Sequence, residues 1–317
     1  MVNGTPNSSM QLVFCGTPLF AVPTLRALVE HKFPISLVVT QPDRPQGRGL
    51  QLTASPVKQA ALENGLRVIQ PAKIKNNEEF REQLAKLNPD AIIVVGYGRI
   101  IPQWMIDLPR LGNINLHGSL LPKYRGAAPI QWAIASGETV TGVTTMKIDA
   151  GLDTGDILLQ RDIQIQPEDT SETLGPRLAA IGAELMVETL RGLAAGSVSA
   201  MPQDHSKASL APILKKEDGH VDFRLQAKQI SDRLRGFQPW PGAFTRFRGK
   251  TLNIWRVSPI KQSLPEGELL VGNRLLVGCG GGSALELLEV QPEGKKRMLA
   301  ADFVRGYRPE SGERLGS

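Results

Sequence analysis

The chain has 317 residues, 41% hydrophobic and 21% charged, which is long for one domain and comfortable for two with ordinary cores. No apolar run approaches the roughly 18 residues of a membrane span, so a helical integral membrane protein is excluded. The net charge of +6 is confined to the last third, since residues 1–212 carry 19 basic and 19 acidic side chains and residues 213–317 carry 18 and 12, an asymmetry expected when one domain does chemistry and another meets a polyanion.

Met1–Ser9 is polar and reads as a flexible tail without the apolar core of a leader, with Met10 as an alternative start. Gln11–Gly16 reads as a buried strand, and Pro18 suits the first turn of a helix whose apolar face carries Phe20, Leu25 and Leu28. Ile35–Thr40 is a second strand, so the chain opens as the strand–helix–strand unit of a doubly wound sheet, without the G-x-G-x-x-G of a dinucleotide site. Residues 41–58 hold three prolines and several basic residues, including Arg44 and Arg48, and read as a long irregular loop of functional character. A helix over 58–64, a short strand over 66–70, an amphipathic helix over 77–87 stopped by Asn88-Pro89, and a buried strand over 91–95 follow. That strand ends at Gly96-Tyr97-Gly98, where Tyr97 reads equally as pocket wall or as core.

Asn113-Ile-Asn-Leu-His117 is the next strand, and period-2 alternation puts Asn115 and His117 on one face. Gly118 and Pro122 end it, so an amide and an imidazole project together at the mouth of a sheet, where open α/β sheets bind ligands. Asn115 can donate hydrogen bonds to an oxygen gaining negative charge, and His117 can move a proton near neutral pH. No Ser or Cys stands where a nucleophile should be, so a substrate must supply it. After a helix over 129–136 and a strand over 141–148, Asp149, Asp153 and Asp156 fall in a glycine-spaced turn between hairpin strands. The turn lacks the ligand ladder of a calcium loop, and one of its carboxylates is a natural orienter of the imidazole. A helix capped near Thr170 or Ser171 runs to Leu193. Residues 197–212 read as a polar linker.

Beyond it the pattern turns to short strands, over 250–257, 267–271, 274–279 and 284–290, with one helix over 227–236 before them, as in a small OB-like barrel. The fold class is therefore α/β: a doubly wound, mostly parallel, Rossmann-like sheet over 10–196 with a C-terminal OB-like β-barrel over 213–317. Lys295, Lys296 and Arg297 form a basic turn, readable as phosphate contacts or as a solvated surface. Cys15 and Cys279 form no metal spacing and suit a reduced, cytoplasmic protein.

Together these stretches resemble the formyltransferases that use 10-formyltetrahydrofolate. Asn115, His117 and Asp153 match that family's Asn-x-His…Asp catalytic set, and Ser119-Leu120-Leu121-Pro122 matches its folate-site loop. Gly96, Tyr97 and Gly98 then fall at a wall of the folate pocket. The loop from Asp43 to Lys58 is similar, nearly residue for residue, to the insertion loop of the methionyl-tRNA formyltransferases, which inserts against the tRNA acceptor end. Arg48 matches the position implicated there. Phe237–Gly242 and Gln291–Met298 match the family's aromatic-proline turn and C-terminal basic turn.

The resemblance implies attack by the α-amine of initiator methionyl-tRNA on the formyl carbon. Asn115 and protonated His117 would stabilise the oxyanion, while Asp153 supports the imidazolium and is placed to relay a proton toward the leaving nitrogen. A monomer without a metal is expected. A formyltransferase for an amino sugar or purine precursor, or a formyltetrahydrofolate hydrolase, would share the three residues. A catalytically dead nucleic-acid-binding module would not need them. The 43–58 loop and the basic C-terminal third favour tRNA.

Overall fold

The computed structural model describes residues 10–46 and 51–316; the tail read over 1–9 and Arg48 lie outside the described residues. By contact the chain groups into two compact units. The first comprises residues up to Pro129, Thr141–Ile163 and Gly175–Ala211, and the second Ile130–Val140, Gln164–Leu174 and Pro212 onward.

The first unit opens with β1 (Leu12–Gly16), α1 (Val22–Glu30) and β2 (Ile35–Val39). Then come β3 (Arg44–Gln46), β4 (Gln51–Thr53), α2 (Pro56–Glu63), β5 (Val68–Ile69), α3 (Glu78–Leu87), β6 (Ala91–Val95), α4 (Gln103–Ile106) and β7 (Asn113–His117). After α5 (Pro129–Ala135) the chain forms β8 (Val140–Lys147), β9 (Ile157–Gln164) and the long α6 (Ser171–Ala195). The sheet order is β5-β2-β1-β6-β7-β8-β9, parallel from β5 to β7, with β8 antiparallel to β7. β1 and β6 are buried along their whole length, which is why they read as continuous apolar runs. One face packs Val13, Cys15, Leu37, Val39, Ile92 and Val94 against Phe80, Leu84 and Met105 of α3 and α4. Strand order reverses between β1 and β6, and the crevice at such a switch point is where this architecture accepts ligands.

Two expectations are revised and one element is added. The loop over 41–58 is not wholly irregular: β3 and β4 pair as an antiparallel ribbon, Arg44 opposite Thr53. An isolated two-stranded edge tolerates Pro45 where a central strand would not. Pro56 opens α2 behind the Ser55 cap, whose side chain accepts from Lys58 N. Second, α4 was unforeseen; its one turn is held by Asn113, whose Nδ2 donates to the carbonyls of Met105 at 2.7 Å and Ile106 at 3.1 Å. Third, residues 197–211 are not a free linker. Met201 bridges Ile157 and Leu210 bridges Arg125, so this polar stretch satisfies its backbone against the first unit.

The second unit holds α5, α7 (Ala227–Gly236), β10 (Ala243–Phe247), β11 (Lys250–Ile260), β12 (Leu269–Val271), β13 (Leu275–Cys279), β14 (Ser283–Pro292), β15 (Met298–Leu299) and α8 (Ala300–Tyr307). Its antiparallel sheet runs β10-β11-β14-β13-β12, with β15 on β14. β10 escaped the sequence reading because its hairpin turn places Arg248 at φ +50°, where the usual Asn or Asp signature is missing. The core gathers Ile230 and Leu234 of α7, Leu252, Ile254, Leu285 and Leu287 of the sheet, and Phe303 of α8. Phe303 lies edge-on to Phe247 at 5.3 Å and stacked on Tyr307 at 4.8 Å. Phe303→Ala should therefore lose about 3–5 kcal/mol. Urea denaturation of parent and variant, followed by circular dichroism, measures it.

Candidate active site

Three strand ends converge on the switch point. Beyond β1, the Thr17 hydroxyl donates to Tyr97 O at 3.3 Å. Beyond β2, Gln41 Nε2 donates to the turn that follows β6, to Tyr97 O at 2.8 Å and to Gly98 O at 3.2 Å. A Cβ on Gly96 would stand 2.7 Å from Pro18 Cγ, so the two turns touch only because residue 96 has none. The Tyr97 ring itself is core, 1% exposed, and burial pushes its phenol well above the usual range. Of the expected 96–98 wall, backbone and glycines face outward and the ring faces in. Cys15 is likewise fully buried, its thiol pushed far up by burial, and offers no nucleophile.

β7 supplies the amide and the imidazole. Its register sets Asn115 beside Val94 of β6 and Met146 of β8, and His117 beside Thr144. The Asn115 side chain makes no hydrogen bond among the described residues and is half-buried. His117 is buried, and its Nε2 lies 2.9 Å from Tyr124 O. A carbonyl only accepts, so Nε2 carries the hydrogen in either charge state. Nδ1 is then the atom that gains or loses a proton, and it faces Asp153 Oδ2 at 3.7 Å. That separation is an ion-pair distance and not a hydrogen bond.

The three carboxylates of the 149–156 turn do different things. Asp149 holds the turn, accepting from Gly151 N at 3.0 Å and from the Thr154 hydroxyl at 2.8 Å. Asp156 enters the ladder through its carbonyl, which accepts from Lys147 N at 2.9 Å. Only Asp153 turns toward His117, from a left-handed backbone with φ +51°, and its Oδ2 also accepts from Gly126 N at 2.8 Å. Gly126 itself has φ +122° and lies where a Cβ would be 2.6 Å from Ala211 O.

The 119–122 loop is pinned from beneath. Ser119 is fully buried and its hydroxyl donates to Lys123 O at 2.6 Å; Leu121 is buried as well. Thr144 Oγ1 donates to Ser119 O at 2.7 Å and accepts from Leu121 N at 3.1 Å, and Gln160 Nε2 donates to Leu121 O at 2.9 Å. Ser119 and Leu121 thus shape the loop, and the hydrogen of the Ser119 hydroxyl is engaged by Lys123 O. Leu120 is only half-buried, and the Leu121–Pro122 peptide is cis.

Sequence reasoning missed Gln203, His205 and Ser209, all in the expected linker. Gln203 is buried and joins Arg125 to the Asp153 turn, and Ser209 Oγ accepts from Tyr124 N at 2.9 Å. The only signal was polarity in a short stretch, which is also what a solvated linker shows.

The expected nucleic-acid contacts differ in availability. Arg44 Nη2 donates to Gln41 Oε1 at 2.6 Å. Beside it Asp43, whose carboxyl is held low chiefly by its hydrogen bond from Lys58 and also by Gln70, anchors the loop's base. In the second unit, Lys295 and Lys296 are exposed and form no ion pair among the described residues. Arg297 pairs with Glu289 and lies over the Trp255 ring at 5.0 Å. No cluster of three or more metal-ligating side chains occurs among the described residues, and no helix there is long and apolar enough to cross a membrane.

The chain matches the formyl transferase family over residues 10–190 and the formyl transferase C-terminal domain over 213–308. It is 67% identical over 308 residues to the methionyl-tRNA formyltransferase of Koribacter versatilis, covering 97% of this chain and 99% of that protein. It is 60% identical over 311 residues to that of Acidobacterium capsulatum, covering 97% and 100%. Among solved structures it is similar in fold to an N-formyltransferase from Helicobacter canadensis in complex with folinic acid and dTDP-3-aminofucose. There the TM-score is 0.66 at 18% identity, over 89% of this chain and 99% of that one.

Thr144 carries the bonds that hold the 119–122 loop. Thr144→Val keeps the shape and leaves Leu121 N and Ser119 O without that partner, so it should lose about 1–3 kcal/mol. Chemical denaturation and the hydrogen-exchange rate of the Leu121 amide report the two consequences.

Proposed function

The chain belongs to the methionyl-tRNA formyltransferase family, and we propose that it transfers the formyl group of 10-formyltetrahydrofolate to the α-amine of initiator methionyl-tRNA, giving N-formylmethionyl-tRNA for translation initiation. The full-length identity to relatives of that name carries this reading. The site's geometry supports it by supplying the groups that acyl transfer from one amine to another requires, with no nucleophile of the protein's own.

The neutral α-amine attacks the formyl carbon, and the carbonyl electrons move onto oxygen. Asn115 offers an amide N–H not engaged elsewhere, which is what a preorganised oxyanion donor needs. Protonated His117 adds a positive charge at the same strand end, with Asp153 facing Nδ1. The tetrahedral intermediate then expels the folate N10, which takes up a proton as the attacking nitrogen loses one. Nδ1 and Asp153 are the groups placed to exchange protons between them, directly or through water. Leu120, the Leu121–Pro122 backbone and the 96–98 turn are the surfaces assigned to the folate.

The tRNA is assigned to the second unit, which carries the excess charge, through Lys295 and Lys296, and to the 43–58 loop. There Arg48 rests on the resemblance alone, and Arg44 stands at the loop's base. Arg297 serves differently, because Glu289 already offsets its charge. The enzyme is assigned to the cytoplasm, as a monomer without metal.

Formylation assays with 10-formyltetrahydrofolate and charged tRNA, against uncharged tRNA and free methionine, test the reading. Consumption of folate without formylated tRNA would overturn it. Asn115→Ala and His117→Ala should each lower kcat by about 10²–10³-fold with folding intact, and Asp153→Asn should lower kcat with little change in the dissociation constant of tetrahydrofolate. Single-turnover rates and circular dichroism separate chemistry from folding. Replacing Lys295 and Lys296 together by Ala should flatten the salt dependence of tRNA affinity, lowering the slope by about 2. Arg297→Ala should change it less, as filter binding across a salt series will show.

A further inference from the structure

We propose that Gln203 is a positioning residue for this reaction: its side-chain amide ties the Asp153 turn to Arg125 and so holds the carboxylate that faces His117. The proposal rests on the assignment of Asp153 above and adds a residue from a segment that carries no chemistry of its own.

Gln203 is 5% exposed, and both ends of its amide are engaged. Oε1 accepts from Arg125 Nε at 3.1 Å and Nη2 at 2.6 Å. Nε2 donates to Asp153 O at 2.9 Å and to Gly155 O at 2.7 Å. The orientation follows from chemistry: a guanidinium only donates and two carbonyls only accept, so the amide cannot be reversed. The two carbonyls flank Thr154, so the amide closes the backbone around the one residue, Asp153, that stands in the left-handed region. Non-glycine residues stay in that region only when their surroundings over-determine it. Three restraints do so here: the Gln203 bond to Asp153 O, the Gln203 bond to Gly155 O, and the Gly126 N–H on Asp153 Oδ2.

The other side of His117 depends on the same segment. Tyr124 O, which takes the Nε2 hydrogen, belongs to a loop fixed by Ser209: Oγ accepts from Tyr124 N at 2.9 Å and Ser209 O from Arg125 N at 2.8 Å. Ala211 N donates to Arg125 O at 2.7 Å. The Arg125 guanidinium is buried and meets only Gln203 and His205 Nδ1, at 3.0 Å, with no carboxylate within ion-pair distance among the described residues. A buried cation with neutral partners is tolerated only where those partners are held in place. The residues from 203 to 211 thus act as a splint along both loops that bracket the imidazole, and Gln203 is the side chain that touches both.

The test is a double-mutant cycle on formylation of methionyl-tRNA, using Gln203→Leu, Asp153→Asn and the pair. Gln203→Glu serves as a second variant, because its carboxylate can pair with Arg125 while losing both donor bonds to the turn. Gln203→Leu and Gln203→Glu should each lower kcat about tenfold or more, with the KM for 10-formyltetrahydrofolate changed less than about threefold. Added to Asp153→Asn, Gln203→Leu should lower kcat by no more than a further factor of about two, since the group it positions is gone. The pH profile of kcat in Gln203→Glu should move toward that of Asp153→Asn. Equal losses from Gln203→Leu in both backgrounds, or parental kcat in Gln203→Glu, would overturn the proposal and leave Gln203 a packing residue. Full activity in Asp153→Asn alone would instead overturn the assignment beneath it, and the proposal with it.

Discussion

An imidazole that donates to a carbonyl from one nitrogen keeps only the other for a second partner, and in His117 that nitrogen faces a carboxylate. That constraint on His117 organises the catalytic half of the molecule. The strand that carries it, β7, delivers the ring and the Asn115 amide to one face by simple alternation. Everything that sets the ring's chemistry arrives from elsewhere: Tyr124 O from the loop after β7, and Asp153 from the turn between β8 and β9. Neither acceptor is placed by a regular element. Tyr124 stands at φ +61° and Asp153 at φ +51°, two backbone conformations that local propensity disfavours and surrounding bonds must maintain.

The sheet explains why that arrangement is possible. Parallel order from β5 to β7 brings the ends of β1, β6 and β7 to one side, around the switch point. The antiparallel β8 then lies in register with β7, and its Thr144 stands opposite His117. From there its hydroxyl braces the 119–122 loop from below, and that loop carries two buried residues at the mouth of the sheet.

Much of this was legible in the residues. Continuous apolar runs identified β1 and β6, alternation paired Asn115 with His117, and the glycine-spaced aspartates announced a turn. Periodicity could not choose among Asp149, Asp153 and Asp156, because all three lie within one turn and differ only in where the backbone aims them. The family resemblance chose Asp153, and the fold shows Asp149 committed to Thr154 and Gly151. The polar segment over 197–212 lies between the two matched domains, as a linker does, but its packing was not legible. Its buried amide and its backbone bridge reach Arg125 across 78 residues and 85 residues respectively, and no local signal distinguishes such long-range partners from solvent contacts. Ser119 differs in the opposite sense: a motif position that resembles a ligand contact also braces the loop from a buried place.

The charge of the second unit has a comparable division. Its carboxylates are largely taken by arginines: Asp222 by Arg224, Glu289 by Arg256 and Arg297, Glu286 by Arg274, Asp302 by Arg305 and Glu313 by Arg248. The Asp222 carboxyl is accordingly lowered to about 2, chiefly by its hydrogen bonds from Arg224. Lys215, Lys216, Lys250, Lys261, Lys295 and Lys296 are all exposed and make no ion pair among the described residues. Arginine's planar fork suits fixed pairs within a fold, while lysine is a compact charge on a flexible stem. The +6 of the chain is therefore presented mainly by side chains that commit to no geometry of their own. Such a surface attracts a polyphosphate backbone without reading it, and its contribution must fall steeply with salt. Discrimination among nucleic acids then has to come from elsewhere, from residues that the charge count does not reveal.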